Sequence, residues 1–456
     1  MKPENKFIEK MEKEGLPPTV IDCFSHYYRQ LAAGESGLIS DVDLEPISPK
    51  DILDAASLQA YAASGQAAMS NAVSIVLNGG LGTSMGLTKA KSLIPVKDGQ
   101  TFLDIKLKQA QHRGSQLAFM NSFNTHADTL AAVTAAAASL EPAFFIQNKF
   151  PKVLADSLEP VDWPDDPNLE WNPPGHGDVY AALYASGLLD RLLNNGIEYA
   201  FIANSDNLGA TLDEGLLGYF VDHNFPFMME VAQRTPADLK GGHLARHKNG
   251  NLILREIAQC PEDEIAAFQD IARYRYFNTN SLWVNLTYLQ ALFEEKGALF
   301  LPMIVNPKTV NPRLADSPAA IQIESAMGAA ISLFPGATAV QVGVDRFMPV
   351  KKCPELLAIR SDCYQLTKNH ELVINPARQM PAPHIRLDTR YFGHLDAFDQ
   401  RFQWIPSLVN CRSLTIHGNL FFDNDVVISG NVTIRHDGDD PARVPAGSIV
   451  DSDLNI

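Results

Sequence analysis

At 456 residues the chain is longer than one compact core fills, and two or three domains are expected. Its apolar content of 46% is that of a globular protein, and its formal net charge of −16 excludes a nucleic-acid surface, which needs clustered Lys and Arg. No run approaches the roughly 18 to 20 apolar residues of a membrane span, and the doubly charged start MKPENKFIEKMEKEG lacks the apolar segment of a signal peptide. Five cysteines, at 23, 260, 353, 363 and 411, form no CxxC pair. An odd count at such spacing excludes a disulfide framework or structural zinc and fits a reducing, cytoplasmic setting. His243 and His247 have no carboxylate between them as HExxH requires, and read as ordinary polar residues.

In chain order, residues 1–70 read as helical, with apolar spacing over Val20 to Leu31 and an alanine-rich piece from Asp51 to Ala68. Val73 to Leu77 is a β-branched apolar run, the composition of a strand buried on both faces. Asn78 and the glycines at 79, 80 and 82 break it, and such a loop turns several N–H groups toward one point, an anion seat. Lys89 and Lys91 follow, either able to add a full positive charge. The loop is not a Walker A motif, because Leu87 and Thr88 follow Gly86, nor a dinucleotide fingerprint, because Met85 fills the third glycine slot.

Strands are expected at Leu117–Met120, Ala143–Gln147, Tyr199–Ala203, Ser281–Leu286 and Ala339–Val344. Helices are expected over His126–Leu140 and Asp178–Asn194, the latter ended by Gly196. Residues 227–258 read as antiparallel strands with turns at Lys240-Gly241-Gly242 and Asn249-Gly250-Asn251, and Ser317-Pro318 reads as a helix start. Alternating strand and helix predict a largely parallel sheet covered on both faces, with ligands gathering beyond the carboxyl ends of the strands. The glycine loop and Asp206 both fall at such ends. Leu414–Ile434 consists of short β-branched pieces split by Gly-Asn, the pattern of a small β domain or partial β-helix built as stacked turns.

The acidic balance sets a problem for any anionic substrate. Two unit charges 4 Å apart interact by roughly 4 kcal/mol at an effective dielectric of 20. A few local lysines, amides and a divalent cation therefore outweigh distant surface charge, which salt screens.

Taken together the segments resemble the UTP–glucose-1-phosphate uridylyltransferases, or UDP-glucose pyrophosphorylases. The strings are LNGGLGTSMG at 77–86 with Lys91-Ser92, MNSFNT at 120–125, PPGHGDVYAAL at 173–183, NSDNLGA at 204–210, EIAQCP at 256–261, FNTNSLWVNL at 277–286 and RFMPVK at 346–351. Sister enzymes making UDP-N-acetylglucosamine typically carry GTRLG in the glycine loop, so GTSMG favours glucose 1-phosphate. Ala90 departs from the family, which usually has proline there.

The resemblance implies an α/β fold: a glycosyltransferase-A-like Rossmann nucleotidyltransferase core (71–380), a helical N-terminal segment (1–70) and a C-terminal left-handed β-helix (381–456). It implies Mg²⁺-dependent, reversible transfer of uridylyl from UTP to glucose 1-phosphate, giving UDP-glucose and pyrophosphate. It assigns Lys91, Asp206 and Lys351 to catalysis, with Lys352 an alternative to Lys351, and Asp206 also to the metal. Leu77, Asn78, Gly79, Gly80, Gly82, Gln147, Gly175 and Gly177 are assigned to the nucleotide. His176, Asn204, Glu256, Asn280 and Lys240 are assigned to the sugar phosphate. Asp206 could instead cap a helix, His176 brace its own loop, and Asn280 serve only a turn. Two other readings remain: the same chemistry on galactose 1-phosphate or several sugars, and a non-catalytic nucleotide-sugar binder on this fold. The β-rich tail offers strand edges through which copies could pair; no nucleic-acid or membrane partner is expected.

Overall fold

The computed structural model describes residues 3–136, 140–236, 238–314, 316–438 and 440–456. Its centre is a twisted sheet whose strands are β1 (Ala72–Asn78), β2 (Gln116–Asn121), β3 (Ala143–Ile146), β4 (Tyr199–Asn204), β5 (Phe227–Gln233), β6 (Tyr276–Asn285) and β7 (Thr338–Gln341). Their spatial order is β7-β5-β6-β4-β1-β2-β3, with the short strand Leu53–Asp54 beside β7. Along this path only β6 runs against the others. The sheet is thus parallel-rich rather than parallel throughout.

β1 and β4 occupy the middle because their side chains are apolar on both faces. Val73, Ile75 and Leu77 point into one core with Ile202, and Val76 into another with Phe119. The register pairs Leu77 with Asn204 and Asn78 with Asn121, so β1, β2 and β4 end level at one rim. The Ser205 N–H donates to the Leu77 carbonyl (3.0 Å), which carries that alignment into the loops. This rim is where the sequence placed the glycine loop and Asp206.

Several elements differ from expectation. The helix expected over Asp178–Asn194 is two, Val179–Ala185 and Leu188–Asn194, because Gly187 adopts φ +67° between them. Ser317-Pro318 opens a strand, Ala319–Ser325, not a helix; it pairs along its whole length with Met303–Thr309, and that pairing overrides the local start signal. The helix from His126 ends at Ala135, and 137–139 lie outside the described residues. β6 begins at Tyr276, so Phe277-Asn278-Thr279-Asn280 lies inside the strand. The pairing with β5 slips there at Glu230/Val231, and Asn280 takes φ +58°. β7 ends at Gln341, before Val344.

Before the sheet come helices Pro3–Lys13 and Pro18–Ala32, packed through Phe7, Phe24 and Tyr28. Beside it the hairpin His243–His247/Leu252–Arg255 closes through the expected turn around Asn249-Gly250-Asn251, and the expected turn at Lys240-Gly241-Gly242 leads into its first strand. In the tail, parallel pairs stack in three short rows: 384–387, 411–417, 430–435 and 454–455 form one row, 420–422 with 442–444 the second, and 427–428 with 449–450 the third. The core of this tail reaches back to Val96, Phe102 and the helix Cys353–Arg360. Among the described residues, no helix is long and apolar enough to cross a membrane.

Candidate active site

The glycine loop leaves β1 and folds back on itself. Gly82 sits at φ +64°, and a side chain there would meet Leu87 Cδ1 at 2.7 Å and Lys91 Cγ at 3.3 Å. The Lys91 N–H donates to the Gly80 carbonyl (3.0 Å), closing the loop so that Lys91 turns toward β4. Ala90, where proline was expected, is buried at φ −54°, within the range a proline ring enforces. The loop therefore keeps that shape without the ring.

Three segments distant in sequence meet on one carboxylate. Lys91 Nζ lies 2.7 Å from Asp206 Oδ2 and Lys351 Nζ lies 3.1 Å from the same oxygen. The Lys91 side chain is 12% exposed and that of Lys351 is 57% exposed, so one ammonium reaches the carboxylate from inside the fold and the other from its surface. Asp206 Oδ1 is buried and, among the described residues, has no hydrogen-bond partner. Lys89 is exposed on the loop surface. Lys352 instead heads the helix Cys353–Arg360, its N–H donating to Glu355 Oε2 (2.8 Å). Geometry thus brings Lys91 and Lys351 to the rim and leaves their neighbours outside. Two ammonium groups on one carboxylate leave a surplus positive charge facing the cleft, suited to polyanions.

Beside β1 the remaining glycines form a second wall. Gln147 Nε2 donates to the Gly175 carbonyl (2.9 Å), and its Oε1 lies 3.0 Å from where a side chain on Gly79 would begin. Gly175 has φ +78°, and Gly177 packs directly on Ser325. The Asn78 side chain turns inward, donating to Asn121 Oδ1 and Thr129 Oγ1 (both 2.8 Å), so at the cleft it offers only backbone. Leu77 is likewise buried.

His176 Nδ1 accepts the Met327 N–H (3.0 Å), which puts its proton on Nε2 as a donor. Burial, with the nearby Lys351 charge, pushes its pKa down to about 4, so the ring is neutral near pH 7. It therefore braces its loop through one nitrogen and keeps the other free for hydrogen bonding. Glu256 follows the hairpin and faces Gly242, whose missing side chain leaves room for the carboxyl; burial pushes its pKa up to about 7. Asn280 accepts from Asn278 Nδ2 through its Oδ1 (2.9 Å). Asn204 ends β4 beside the cluster, half-buried. Lys240 is exposed on its turn, and among the described residues no ion pair joins it to the rim.

Three groups here had no assigned role. Asp178 receives the Asn148 N–H (2.6 Å) and Asn148 Nδ2 (2.9 Å), tying the His176 loop to the Gln147 loop; burial pushes its pKa up to about 7. Asn207 and Arg346 join the Asp206 loop to the Lys351 segment. All three lie within strings singled out in the sequence, but their partners are far off in the chain.

The family model described as UTP–glucose-1-phosphate uridylyltransferase matches residues 21–429. The chain is 40% identical over 393 residues to the UTP–glucose-1-phosphate uridylyltransferase of Solanum tuberosum, covering 84% of this chain and 81% of the relative. It is 40% identical over 384 residues to that of Saccharomyces cerevisiae, covering 82% and 76%. Among solved structures, a mutant UDP-glucose pyrophosphorylase from Leishmania major in complex with UDP-glucose superposes with a TM-score of 0.91 at 38% identity, covering 100% of this chain and 99% of that one.

Proposed function

The chain belongs to the UTP–glucose-1-phosphate uridylyltransferase family, and from that premise we propose how its cleft works. The reaction joins UTP and glucose 1-phosphate to give UDP-glucose and pyrophosphate. An oxygen of the sugar phosphate attacks the α-phosphorus of UTP, the new P–O bond forms, and the bond to the β-phosphate breaks in line with it. Such transfers need positioning and charge neutralisation more than covalent help.

The observation that carries the reading is the sharing of Asp206 Oδ2 by Lys91 and Lys351. Lys91, with the amides of Gly79, Gly80 and Gly82, holds the UTP phosphates, and Lys351 neutralises them from the opposite side. As the anions enter, both ammonium groups exchange the carboxylate for phosphate oxygens. Gln147 and the backbone of Gly175 and Gly177 read the imide edge of uracil, beside the backbone of Leu77 and Asn78. His176 Nε2 donates to the sugar phosphate. Asn204, Glu256 and Asn280 take the glucose hydroxyls, and Lys240 approaches when its glycine-flanked turn closes.

Mg²⁺ is the proposed cofactor. Asp206 fits it: its Oδ1 is buried and, among the described residues, has no hydrogen-bond partner. Among the described residues no three His, Cys, Asp or Glu side chains form a cage, which suits a cation held by one carboxylate and the phosphates themselves. When bound it supplies charge neutralisation at the reacting phosphates.

The stacked parallel rows of the tail support a left-handed β-helix as its form, with 1–70, 71–380 and 381–456 as the three units, and its open strand edges as the route to a homo-oligomer. The free cysteines support a cytoplasmic location. Initial rates of pyrophosphate release over a grid of nucleotides, sugar phosphates and Mg²⁺ test the reading. UTP with glucose 1-phosphate should give the highest kcat/KM, EDTA should abolish it, and added Mg²⁺ should restore it. Turnover unaffected by EDTA would remove the metal.

A further inference from the structure

We propose that Asn207 is a positioning residue: its side-chain amide splints the segment bearing Lys351 to the loop bearing Asp206, and so sets the spacing of the two lysines. The inference rests on the phosphate role proposed for Lys351.

Asn207 is 3% exposed, and both ends of its amide are engaged across the gap between the two segments. Oδ1 accepts the Met348 N–H (3.0 Å) and the Gly209 N–H (3.2 Å), while Nδ2 donates to the Arg346 carbonyl (3.1 Å). The backbones then close on each other. Asn207 and Pro349 form an isolated antiparallel bridge, and the Val350 N–H donates to the Asp206 carbonyl (3.1 Å). At Gly209 a side chain would strike the Asp345 carbonyl, so the two segments approach as closely as glycine allows.

The start of the segment is pinned independently. Arg346 donates to Glu230 through Nε (2.9 Å) and Nη2 (2.7 Å), and through Nη2 to the Thr211 carbonyl (2.8 Å). Glu230 is fully buried and also accepts the Trp283 indole N–H (2.9 Å). Arg346 thus anchors the start of the segment, Asn207 fixes its middle, and Lys351 is the first residue beyond the clamp whose side chain reaches the cleft. Two residues later begins the helix Cys353–Arg360, part of the tail's core. Asn207 therefore stands where the catalytic loop and the tail are joined.

The chemistry requires an amide. Alanine removes all three hydrogen bonds. Aspartate keeps an acceptor for Met348 and Gly209 but faces the Arg346 carbonyl with a second acceptor, so it should be intermediate. The test is a double-mutant cycle of Asn207→Ala and Lys351→Ala on the Mg²⁺-loaded full chain, read as kcat and as KM for glucose 1-phosphate. Asn207→Ala is expected to lower kcat about tenfold, the scale of a misplaced catalytic group, with KM for the sugar phosphate unchanged. In the Lys351→Ala background the same substitution should change kcat less than about twofold. Should Asn207→Ala fail to fold, Asn207→Asp carries the same cycle with a smaller loss.

An Asn207 effect undiminished in the Lys351→Ala background, with Lys351→Ala itself severe, overturns the splint and leaves the role of Lys351 standing. A silent Lys351→Ala removes that role, and the splint with it.

Discussion

The two walls of the cleft hold their polar groups in different ways. On the wall proposed for the phosphates, Lys91 and Lys351 come from segments distant from Asp206 in the chain, yet both ammonium groups lie within 2.7–3.1 Å of one of its oxygens. On the wall proposed for the sugar, Glu256 faces Gly242 and, among the described residues, has no ionic partner; burial raises its pKa, and Lys240, two residues before Gly242, is exposed. The first wall is an electrostatic device assembled before substrate arrives; the second is a set of separate groups shaped by local desolvation. Preorganised charge is worth most where charge is transferred, so substitutions on the phosphate wall should act on kcat and those on the sugar wall on KM.

The largest effect expected follows from Lys91→Ala, which should lower kcat on the order of 10²-fold or more. A kcat within twofold of the parent would erase the distinction between the walls. Glu256→Gln is the next test. Because its folded pKa is raised from the ordinary carboxylate value to about 7, Glu256 is a neutral acid below that pH and a carboxylate able to accept sugar hydroxyls above it. KM for glucose 1-phosphate should therefore fall as pH rises through about 7, and the Gln variant should lose that step while keeping kcat. The substrate's own phosphate titrates in both proteins and cancels in their ratio. A step that persists in the variant would assign it to another group.

The smallest effect concerns the loop itself. Ala90 already has a proline-like φ, so Ala90→Pro should stabilise the fold by about 0.4–1 kcal/mol through the unfolded chain, read as a raised urea midpoint. A lowered midpoint would mean that the loop needs the Ala90 N–H or the space beside it.

That the glycine loop and Asp206 would meet at one rim was legible in the sequence because it follows from local signals. A β-branched run broken by glycines, and the apolar run Tyr199–Ala203 followed three residues later by the carboxylate of Asp206, each announce a strand end, and the parallel sheet brings the two ends level. What was not legible depends on partners remote in the chain. Nothing near Asn207 indicates that its amide spans to residues 346–348. Nor does anything near Asn78 show that Asn121 and Thr129 draw its side chain inward. The Lys351-Lys352 pair is ambiguous until the helix beginning at Cys353 takes up Lys352. Ser317-Pro318 misled because a helix start signal is weaker than seven residues of strand pairing. Gly187 was legible in principle, since its left-handed turn is a common reason for glycine inside an apolar helical pattern.

The central claim is that one carboxylate keeps two lysines poised for the phosphates. A crystal structure of the protein soaked with UDP-glucose tests it most directly. Density for the diphosphate between the Gly79–Gly82 loop and Lys351, with at least one ammonium moved from Asp206 to a phosphate oxygen, is the result predicted. A diphosphate bound elsewhere, with both lysines still on Asp206, would contradict it.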